Sequence, residues 1–389
     1  MVHARRGDEG PLALAPSTVT TEVVRDPDGL AELFEVWDDL LGPAPDASIY
    51  LTRAWVEPWW RHFDHRPLAR DRLFETAPHV VVARIDGRPA ALLPWLEVRM
   101  APGVRVLVGI GQETADYGGA LLGDQPEFVL PALLDHIEDE LGRGRTFINL
   151  TRLHPDSLLL RALRDRFPEG SCYELRHHVT TPYPFIDLAA HDDPAAYIER
   201  LAKRNDVLRR ERRLAEERTV TYEHHRPGRS SRDLATFLEL HRRRWDSRPD
   251  EPDGIFATPS GQAFLVDAAE ALDVAGNLRI SILRADGEPV AARFGTVFGG
   301  AYQGMKSGWD PAYAAYGPGH LAVANILREL VADGIGEMDM LRGAGDHKAA
   351  WTQDQRLVSY WVIGPAGPFR ELDRRAIWAL LRMRSRQRR

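Results

Sequence analysis

The stretch DPAYAAYGPGHLAVANILREL, residues 310–330, decides the interpretation of the fold. Its second part keeps one face apolar, with residues such as Val323 and Leu327, as expected of an amphipathic helix that begins at or just after Gly319. Gly317 and Gly319 lie at its N-terminal end, where backbone N–H groups and the helix dipole favour an anion. The sequence therefore predicts a strand-to-helix turn that cradles a phosphate, with a simple chain reversal as the alternative.

Charged residues follow this helix directly, in MDMLRGAGDHKAAW, residues 338–351. We expect a short strand from Gly336 to Leu341 with charged side chains clustered at its end. An acyl-transfer site requires such a cluster beside an anion site, because it needs donors for a developing oxyanion and a group that manages the amine proton. The region therefore predicts chemistry as well as binding.

Two hairpins point to an internal duplication. RIDGRPAA, residues 84–91, aligns with RADGEPVA, residues 284–291, and each follows an apolar strand. A chance match between common Asp-Gly turns is the alternative. At 389 residues the chain also exceeds what one hydrophobic core usually serves, which favours two units.

Composition limits the class of protein. The chain is 44% hydrophobic and 28% charged, as in globular proteins, and its net charge of -7 argues against a surface that coats nucleic acid. Cys172 is the single cysteine, and no stretch is typical of a signal peptide or a membrane span, so we expect a cytoplasmic protein. The fourteen histidines show no ligand spacing, so we expect no metal site.

The quoted stretches, together with FLELHRRRW (residues 237–245) and ADGEPVAARF (residues 285–294), resemble one group of acetyltransferases. This is the BioF2-like or CelD/BcsL-like group of the GNAT superfamily, which is related to the Fem peptidyltransferases and their two tandem GNAT folds. The resemblance extends from about residue 22 to residue 364, and is less specific in the N-terminal part. It implies an α/β fold with a mixed sheet and flanking helices in each half and a cleft between the halves.

The resemblance also implies a domain organisation. We expect a flexible leader at 1–18, a GNAT-like domain without cofactor at 19–180, a GNAT domain that binds acyl-CoA at 181–364, and a helix with a basic tail at 365–389. The cofactor would be acetyl-CoA or another acyl-CoA. Its pyrophosphate would rest on a turn formed by Gly317, Pro318, Gly319, His320 and Leu321.

The reaction implied is direct attack of an amine or hydroxyl on the acyl thioester, since no Ser or Cys nucleophile elbow is present. By position in the motif, Lys348 matches a lysine that stabilises the transferring acyl group in Fem relatives; a surface lysine is the alternative. Asp339 would face the cleft and orient Lys348 or Arg342, or else cap a loop. Tyr316 would donate to the thiolate, although packing explains it as well, and His241 is either a base or a core histidine.

Further residues are expected to contact the acceptor, which is a small molecule, a peptide or a sugar. They are Asp116, Tyr117, Trp245, Tyr302 and Arg342. Asp116 and Tyr117 match a position that borders the acceptor site in Fem-like proteins, and an ordinary turn is the alternative for them. The sequence indicates neither the acceptor nor the oligomeric state.

Two rival functions remain. In a Fem-like aminoacyl-tRNA-dependent ligase, an expected basic helix spanning Arg200 to Arg213 and the basic tail would contact RNA phosphates. The absence of a coiled-coil hairpin and the acidic net charge disfavour tRNA. The other rival is a non-catalytic accessory protein for polysaccharide production, against which the glycine turn and Lys348 argue. Stoichiometric binding of CoA separates the acyltransferase from both.

Overall fold

A computed structural model of the chain describes residues 18–42, 45–63, 74–100, 103–225, 228–246 and 258–367. The expected leader at 1–18 lies outside these residues except for Thr18. The expected C-terminal helix and tail, 365–389, also lie outside them apart from the first three residues.

The described strands form one mixed sheet. Their bounds are β1 (Val19–Val24), β2 (Phe74–Ile85), β3 (Arg88–Met100), β4 (Val104–Gly109), β5 (Arg145–Leu153), β6 (Tyr173–Asp187), β7 (Val220–His224), β8 (Leu278–Ala285), β9 (Glu288–Phe298), β10 (Ala301–Trp309), β11 (Glu337–Asp339) and β12 (Gln355–Pro365). The order across the sheet is β1-β2-β3-β4-β5-β12-β6-β11-β10-β9-β8-β7. Only β4 with β5 and β10 with β11 pair in parallel.

This order contains the same pattern twice. We call the segment from β1 to β6 the first half and the segment from β7 to β12 the second half. Each half includes the helices between its own strands, and the helices between β6 and β7 connect the halves. In each half the first four strands are antiparallel, and the fourth and fifth form a parallel pair. The last strand of each half pairs with a strand of the other half: β12 pairs with β5, and β6 pairs with β11. The expected domain boundary at 180/181 falls inside β6, and it stays a prediction. The exchange ties the two halves into one sheet.

Helices flank the sheet. Their bounds are α1 (Pro27–Phe34), α2 (Arg53–His62), α3 (Pro126–Gly142), α4 (Leu158–Arg166), α5 (Pro194–Arg204), α6 (Val207–Glu217), α7 (Ser230–Asp246), α8 (Pro259–Val274), α9 (Pro318–Ala332) and α10 (Asp346–Ala349). Among the described residues, no helix is both long enough and apolar enough to cross a membrane.

The two aligned hairpins have the same turn. Asp86 and Gly87 both have positive φ, as do Asp286 and Gly287, which is the conformation of a type I′ turn between two strands. Each aspartate also accepts a hydrogen bond from the backbone of the strand outside its hairpin: Asp86 from Thr18 at 2.9 Å and Asp286 from Thr219 at 2.8 Å. The repeated bonds agree with the internal duplication expected from the sequence.

The single basic helix expected from Arg200 to Arg213 is instead two helices. α5 ends at Arg204, and Asp206 has a φ of 61°, which a continuing helix cannot accommodate. Asp206 bonds the guanidinium of Arg209, and Arg204 donates to the backbone carbonyl of Trp351 at 2.7 Å. Several of the basic side chains are therefore engaged within the protein.

The halves also share a hydrophobic core beneath the sheet. Trp55 of α2 packs edge-on against Phe264 of α8, with ring centroids 5.0 Å apart. At the rim of this contact, Asp267 accepts hydrogen bonds from Arg61 at 2.9 Å and pairs with His62 at 2.7 Å. The relative position of the halves is thus set by packing as well as by the exchanged strands.

Candidate active site

A cleft opens where the parallel pair of the second half ends. β10 pairs with β11 only from Ala301 to Gln303, and a bulge follows between Gln303 and Lys306. A cavity of about 850 Å³ lies beyond this point. Its walls are α7, β10, the N-terminal end of α9, the segment after β11, and residues of the first half. The expected cleft between the halves is therefore present.

The glycine turn forms one end of this cleft. Gly317, with a φ of 61°, precedes α9, and Pro318 is the first helical residue, one position before the expected start. A side chain on Gly317 would collide with the guanidinium of Arg210, whereas Gly319 faces open space. Four of the five expected cofactor residues line the cleft, Gly317 to His320. Leu321 is instead fully buried in the hydrophobic core, since it lies on the inner face of α9.

Lys348 lines the cleft from the short helix α10. Its Nζ donates to the carbonyl oxygens of Leu341 at 3.0 Å and Arg342 at 2.7 Å. Burial lowers the pKa of Lys348 to about 8, while Asp116 opposes the shift. Two carbonyl acceptors hold the ammonium in place, so one of its three N–H groups remains for a ligand.

Asp339 lies behind the cleft wall, where it does not line the cavity. Its carboxylate accepts hydrogen bonds from the Tyr117 hydroxyl at 2.5 Å and from the Leu341 N–H at 2.7 Å. Burial raises the pKa of Asp339 to about 6. Asp339 is thus a buried anchor that joins the first half to the turn preceding Arg342, and Tyr117 is its partner instead of a residue of the cleft.

Asp116 and Arg342 meet inside the cleft. The Arg342 Nε lies 3.1 Å from Asp116 Oδ1, so that an ion pair crosses from the first half to the second. This carboxylate raises the pKa of the Arg342 guanidinium. The backbone carbonyl of Asp116 accepts a hydrogen bond from Tyr183 at 2.8 Å. Both residues therefore lie where the sequence placed an acceptor site.

His241 and Trp245 line the cleft from one face of α7. The His241 Nδ1 lies 2.9 Å from the carbonyl oxygen of Ser307, which only accepts, so Nδ1 carries the proton. The imidazole stacks on Phe237 with ring centroids 5.2 Å apart. His241 is thus a buried histidine at the surface of the cleft. This position is compatible with a base and with a core histidine, the two alternatives that the sequence leaves open.

Two expected tyrosines lie elsewhere. The Tyr316 hydroxyl donates to Glu217 at 2.5 Å on the outside of α6, and its ring lies against Arg213, so it does not face a leaving group. Tyr302 is 1% exposed and belongs to the hydrophobic core. It does not line the cavity, and its ring packs in the core with residues of α9 such as Leu321.

The cleft contains further charged residues that sequence reasoning missed. The cationic residues of its lining are Arg152, Arg244, Arg293, Lys306, Arg342 and Lys348, against the carboxylates of Glu113 and Asp116. The excess of positive charge suits an anionic ligand. Arg152 lies near the end of β5 with a φ of 56°, and Leu341 lies just after β11 with a φ of 60°. This correspondence is visible in the structure and not in the sequence.

Comparison with known proteins bears on this site. Residues 202–349 match the model of the acetyltransferase (GNAT) domain family. No curated protein matches the chain. FemX has a similar fold with a TM-score of 0.57 and 10% identity, over 85% of this chain and 95% of that one. The C-terminal domain (DUF2156) of a putative lysylphosphatidylglycerol synthetase from Agrobacterium fabrum matches with a TM-score of 0.52 and 12% identity, over 90% and 95%.

Residues 202–349, which include most of the second half, thus match a GNAT acetyltransferase domain, and the first half repeats the strand order of the second. A tandem GNAT protein from the clavulanic acid biosynthesis pathway is among the similar structures, with a TM-score of 0.40 and 12% identity over 90% of this chain and 99% of that one. Acyl transfer is the general activity to which the matched domain points.

Proposed function

We propose that this protein transfers an acyl group, most simply acetyl, from acyl-CoA to an amine or hydroxyl of an acceptor held between the two halves. N-acetyl transfer is the favoured form. The observation that carries the proposal is the cleft of about 850 Å³, which has a glycine-led helix N-terminus at one end and residues of the first half at the other. Donor and acceptor can therefore meet inside one cavity.

The donor end suits a pyrophosphate. The first turn of α9 holds no acidic side chain, so its N–H groups and dipole attract an anion without repulsion. Arg210 adds a guanidinium beside Gly317, and burial lowers the pKa of His320, which keeps that imidazole neutral near neutral pH. We propose that Gly319 and His320 contact the pyrophosphate and that Arg210 contributes charge.

The middle of the cleft suits the thioester. In the β10 bulge, Gly304 and Met305 lie outside the regular pairing with β9, and both line the cavity. Their backbone N–H groups are our candidates for binding the thioester carbonyl oxygen. Lys348 would add a positive charge to the tetrahedral intermediate, whose negative oxygen an ammonium stabilises more than it stabilises the neutral ground state.

The acceptor end suits a group that carries an amine. Glu113 of the first half lines the cleft, and its Oε2 is buried without a hydrogen-bond partner among the described residues. A buried carboxylate oxygen without a partner costs free energy unless a ligand donates to it. We propose that Glu113 holds the acceptor amine and that Trp55 and Trp245 flank it. As the amine attacks, the C–N bond forms and the C–S bond of the thioester breaks. The proton that the amine loses passes to a carboxylate or water, and the departing CoA thiolate takes up a proton in turn.

A Fem-like ligase with an aminoacyl-tRNA donor is the second candidate, because the same cationic lining would suit a tRNA end. The arginines of α5 and α6 argue against this second candidate. Arg204 and Arg209 already bond within the protein, and Arg213 lies over Tyr316. A tRNA would have to compete for these side chains.

Calorimetric titration of the purified protein with acetyl-CoA and longer acyl-CoAs tests the proposal, with Gly319→Trp and Gly319→Ala as a matched pair. Because Gly319 faces open space, tryptophan there fills the cradle without straining the backbone, and alanine leaves it open. We expect binding near one equivalent in the wild type and in Gly319→Ala, and none in Gly319→Trp. Failure of every acyl-CoA to bind the wild type would refute the proposal and direct the search to aminoacyl-tRNA.

A further inference from the structure

We propose that the first half holds a divalent transition-metal ion, Zn²⁺ by its geometry, bound by His79, His136 and Glu140. His136 and Glu140 lie one turn apart on the same face of α3, and His79 reaches them from β2. One ligand atom from each residue lies within 4.8 Å of the others. This inference is independent of the proposed acyl transfer, because the cluster is not part of the cleft.

Two distances within the cluster are close to those between the ligands of a tetrahedral ion. The Nε2 atoms of His79 and His136 lie 3.6 Å and 3.7 Å from the same oxygen, Glu140 Oε1. Zinc bonds of about 2.1 Å require ligand atoms about 3.4 Å apart in a tetrahedron. An octahedral ion with the same bonds requires about 3.0 Å. The observed spacing lies nearer the tetrahedral value, and a contraction of a few tenths of an ångström would complete it.

The ring nitrogens are oriented as ligands. Neither nitrogen of His79 has a hydrogen-bond partner among the described residues, nor does His136 Nε2, although His79 is fully buried and the His136 side chain is only 10% exposed. The Nε2 atoms of His79 and His136 are thus buried without a hydrogen bond to any described residue, which is costly, and an ion bound by both would remove that cost.

A second layer of acceptors supports the two histidines. Glu97 Oε2 lies 3.5 Å from His79 Nδ1, and the Thr21 hydroxyl lies 3.2 Å from His136 Nδ1. In metal sites the non-ligating ring nitrogen of a histidine normally has such a neighbour, which fixes the tautomer and turns Nε2 to the ion. Both rings therefore present Nε2 to Glu140, from β2 and from α3.

Nearby arginines limit the charge that the site can hold. Arg105 donates to Glu140 Oε2 at 2.5 Å, which is the oxygen away from the histidines, and so orients Oε1 towards them. Arg143 also bonds Oε1 at 2.8 Å, but its side chain is 55% exposed and can move into solvent. Arg99 lies 2.5 Å from Glu97 and Arg25 lies 3.7 Å from Glu140. Both side chains, 66% and 49% exposed, would have to turn into solvent with Arg143 when a divalent ion binds. The rival arrangement is a His79 imidazolium that bridges the two carboxylates.

The test uses untagged full-length protein that has been stripped with a chelator. We expect the wild type to bind one equivalent of Zn²⁺ in competition with a chromophoric chelator and to gain several degrees in Tm. Its Co²⁺ form should show the intense visible bands of a tetrahedral ion. His136→Gln should lose the stoichiometric binding and the Tm gain, and His177→Gln, which alters an exposed histidine of β6, should keep both.

The variant is to be compared with the wild type by circular dichroism, because a loss of folding would also abolish binding. Nitrogen NMR of the wild-type histidines is the second measurement and needs no variant. Added Zn²⁺ should shift the Nε2 signals of His79 and His136. Wild-type protein that binds no Zn²⁺, or a His79 ring protonated on both nitrogens and unaffected by the ion, would overturn the proposal.

Discussion

The two halves share one topology but differ at the end of their parallel strand pair. In the second half the gap beyond β10 and β11 is a cavity of about 850 Å³, and the corresponding gap of the first half retains about 20 Å³. In the first half the segment from Ile110 to Gly123 folds back into this space, and Leu121 bridges to Leu92 of β3. A loop thus fills in the first half the space that is open in the second, without a change in the order of the strands.

The helix that follows the gap also differs between the halves, because only the second half leaves its N-terminus without an acidic residue. α3 carries Glu127 in its first turn, while the first turn of α9 has no acidic residue. A carboxylate there repels a phosphate at the position where the helix dipole would attract it. Arg152 binds the carbonyl oxygens of Gln112 and Ala115 and so holds the filling loop in place. Both features would hinder a phosphate at the N-terminus of α3, and the absence of a cofactor from the first half stays a prediction.

The largest effect that we predict concerns the lysine found only in the second half. Lys348→Ala should lower the rate of CoA release from acetyl-CoA by about 100- to 1000-fold, as removal of an oxyanion donor does elsewhere. Binding of acetyl-CoA should change little, because the phosphates lie at the other end. The thiol assay needs a correction for Cys172, which is exposed. Equal rates for the variant and the wild type would assign the chemistry to another residue.

Alanine substitutions at two glycines, one in each half, test the difference between the filled gap and the open gap. Gly118 of the filling loop packs against the backbone of Thr151, so that an added Cβ would collide with its carbonyl oxygen. Gly118→Ala should therefore lower the free energy of unfolding by about 1–3 kcal/mol. Gly319→Ala should leave it unchanged within about 0.5 kcal/mol or raise it slightly, since nothing lies near that position. Urea unfolding measures both, and equal losses would contradict the distinction between a filled and an open gap.

The pH dependence should distinguish an acidic from a basic role for Lys348. Burial lowers its pKa to about 8, so the active ammonium loses its proton as the pH rises through that value. Hydrolysis of bound acetyl-CoA, with water as the acceptor, should fall about tenfold per pH unit above 8. Lys348→Arg, which stays charged, should remove this decline. A rate that instead rises through pH 8 would identify the neutral amine as a base.

Much of the cleft could be predicted from the sequence, because its residues follow signals of local structure. The turn before α9, Lys348, and the pair formed by Asp116 and Arg342 all lie in it. Tyr302 and Tyr316 could not be placed, since a strand bulge and a short 3-10 turn decide which way each ring points. The exchange of β6 and β12 was equally invisible, because alternating apolar residues do not specify a neighbouring strand. The cluster of His79, His136 and Glu140 could not be predicted either, because it brings together two elements, β2 and α3, that are distant in sequence.

The smallest effect that we predict concerns the contact between the halves at Tyr117 and Asp339. Tyr117→Phe removes a donor from a carboxylate whose pKa burial has already raised to about 6. The loss in free energy of unfolding, about 1 kcal/mol, should increase as the pH rises through 6, because only the ionised carboxylate requires the donor. Tyr316→Phe alters a hydroxyl bonded to Glu217 at the surface and should change the stability by less at both pH values. Urea unfolding at pH 5 and pH 8 compares the four cases. An equal loss at both pH values would mean that Asp339 does not change its ionisation between pH 5 and pH 8, and no loss at either value would mean that the Tyr117 hydroxyl contributes nothing to this contact.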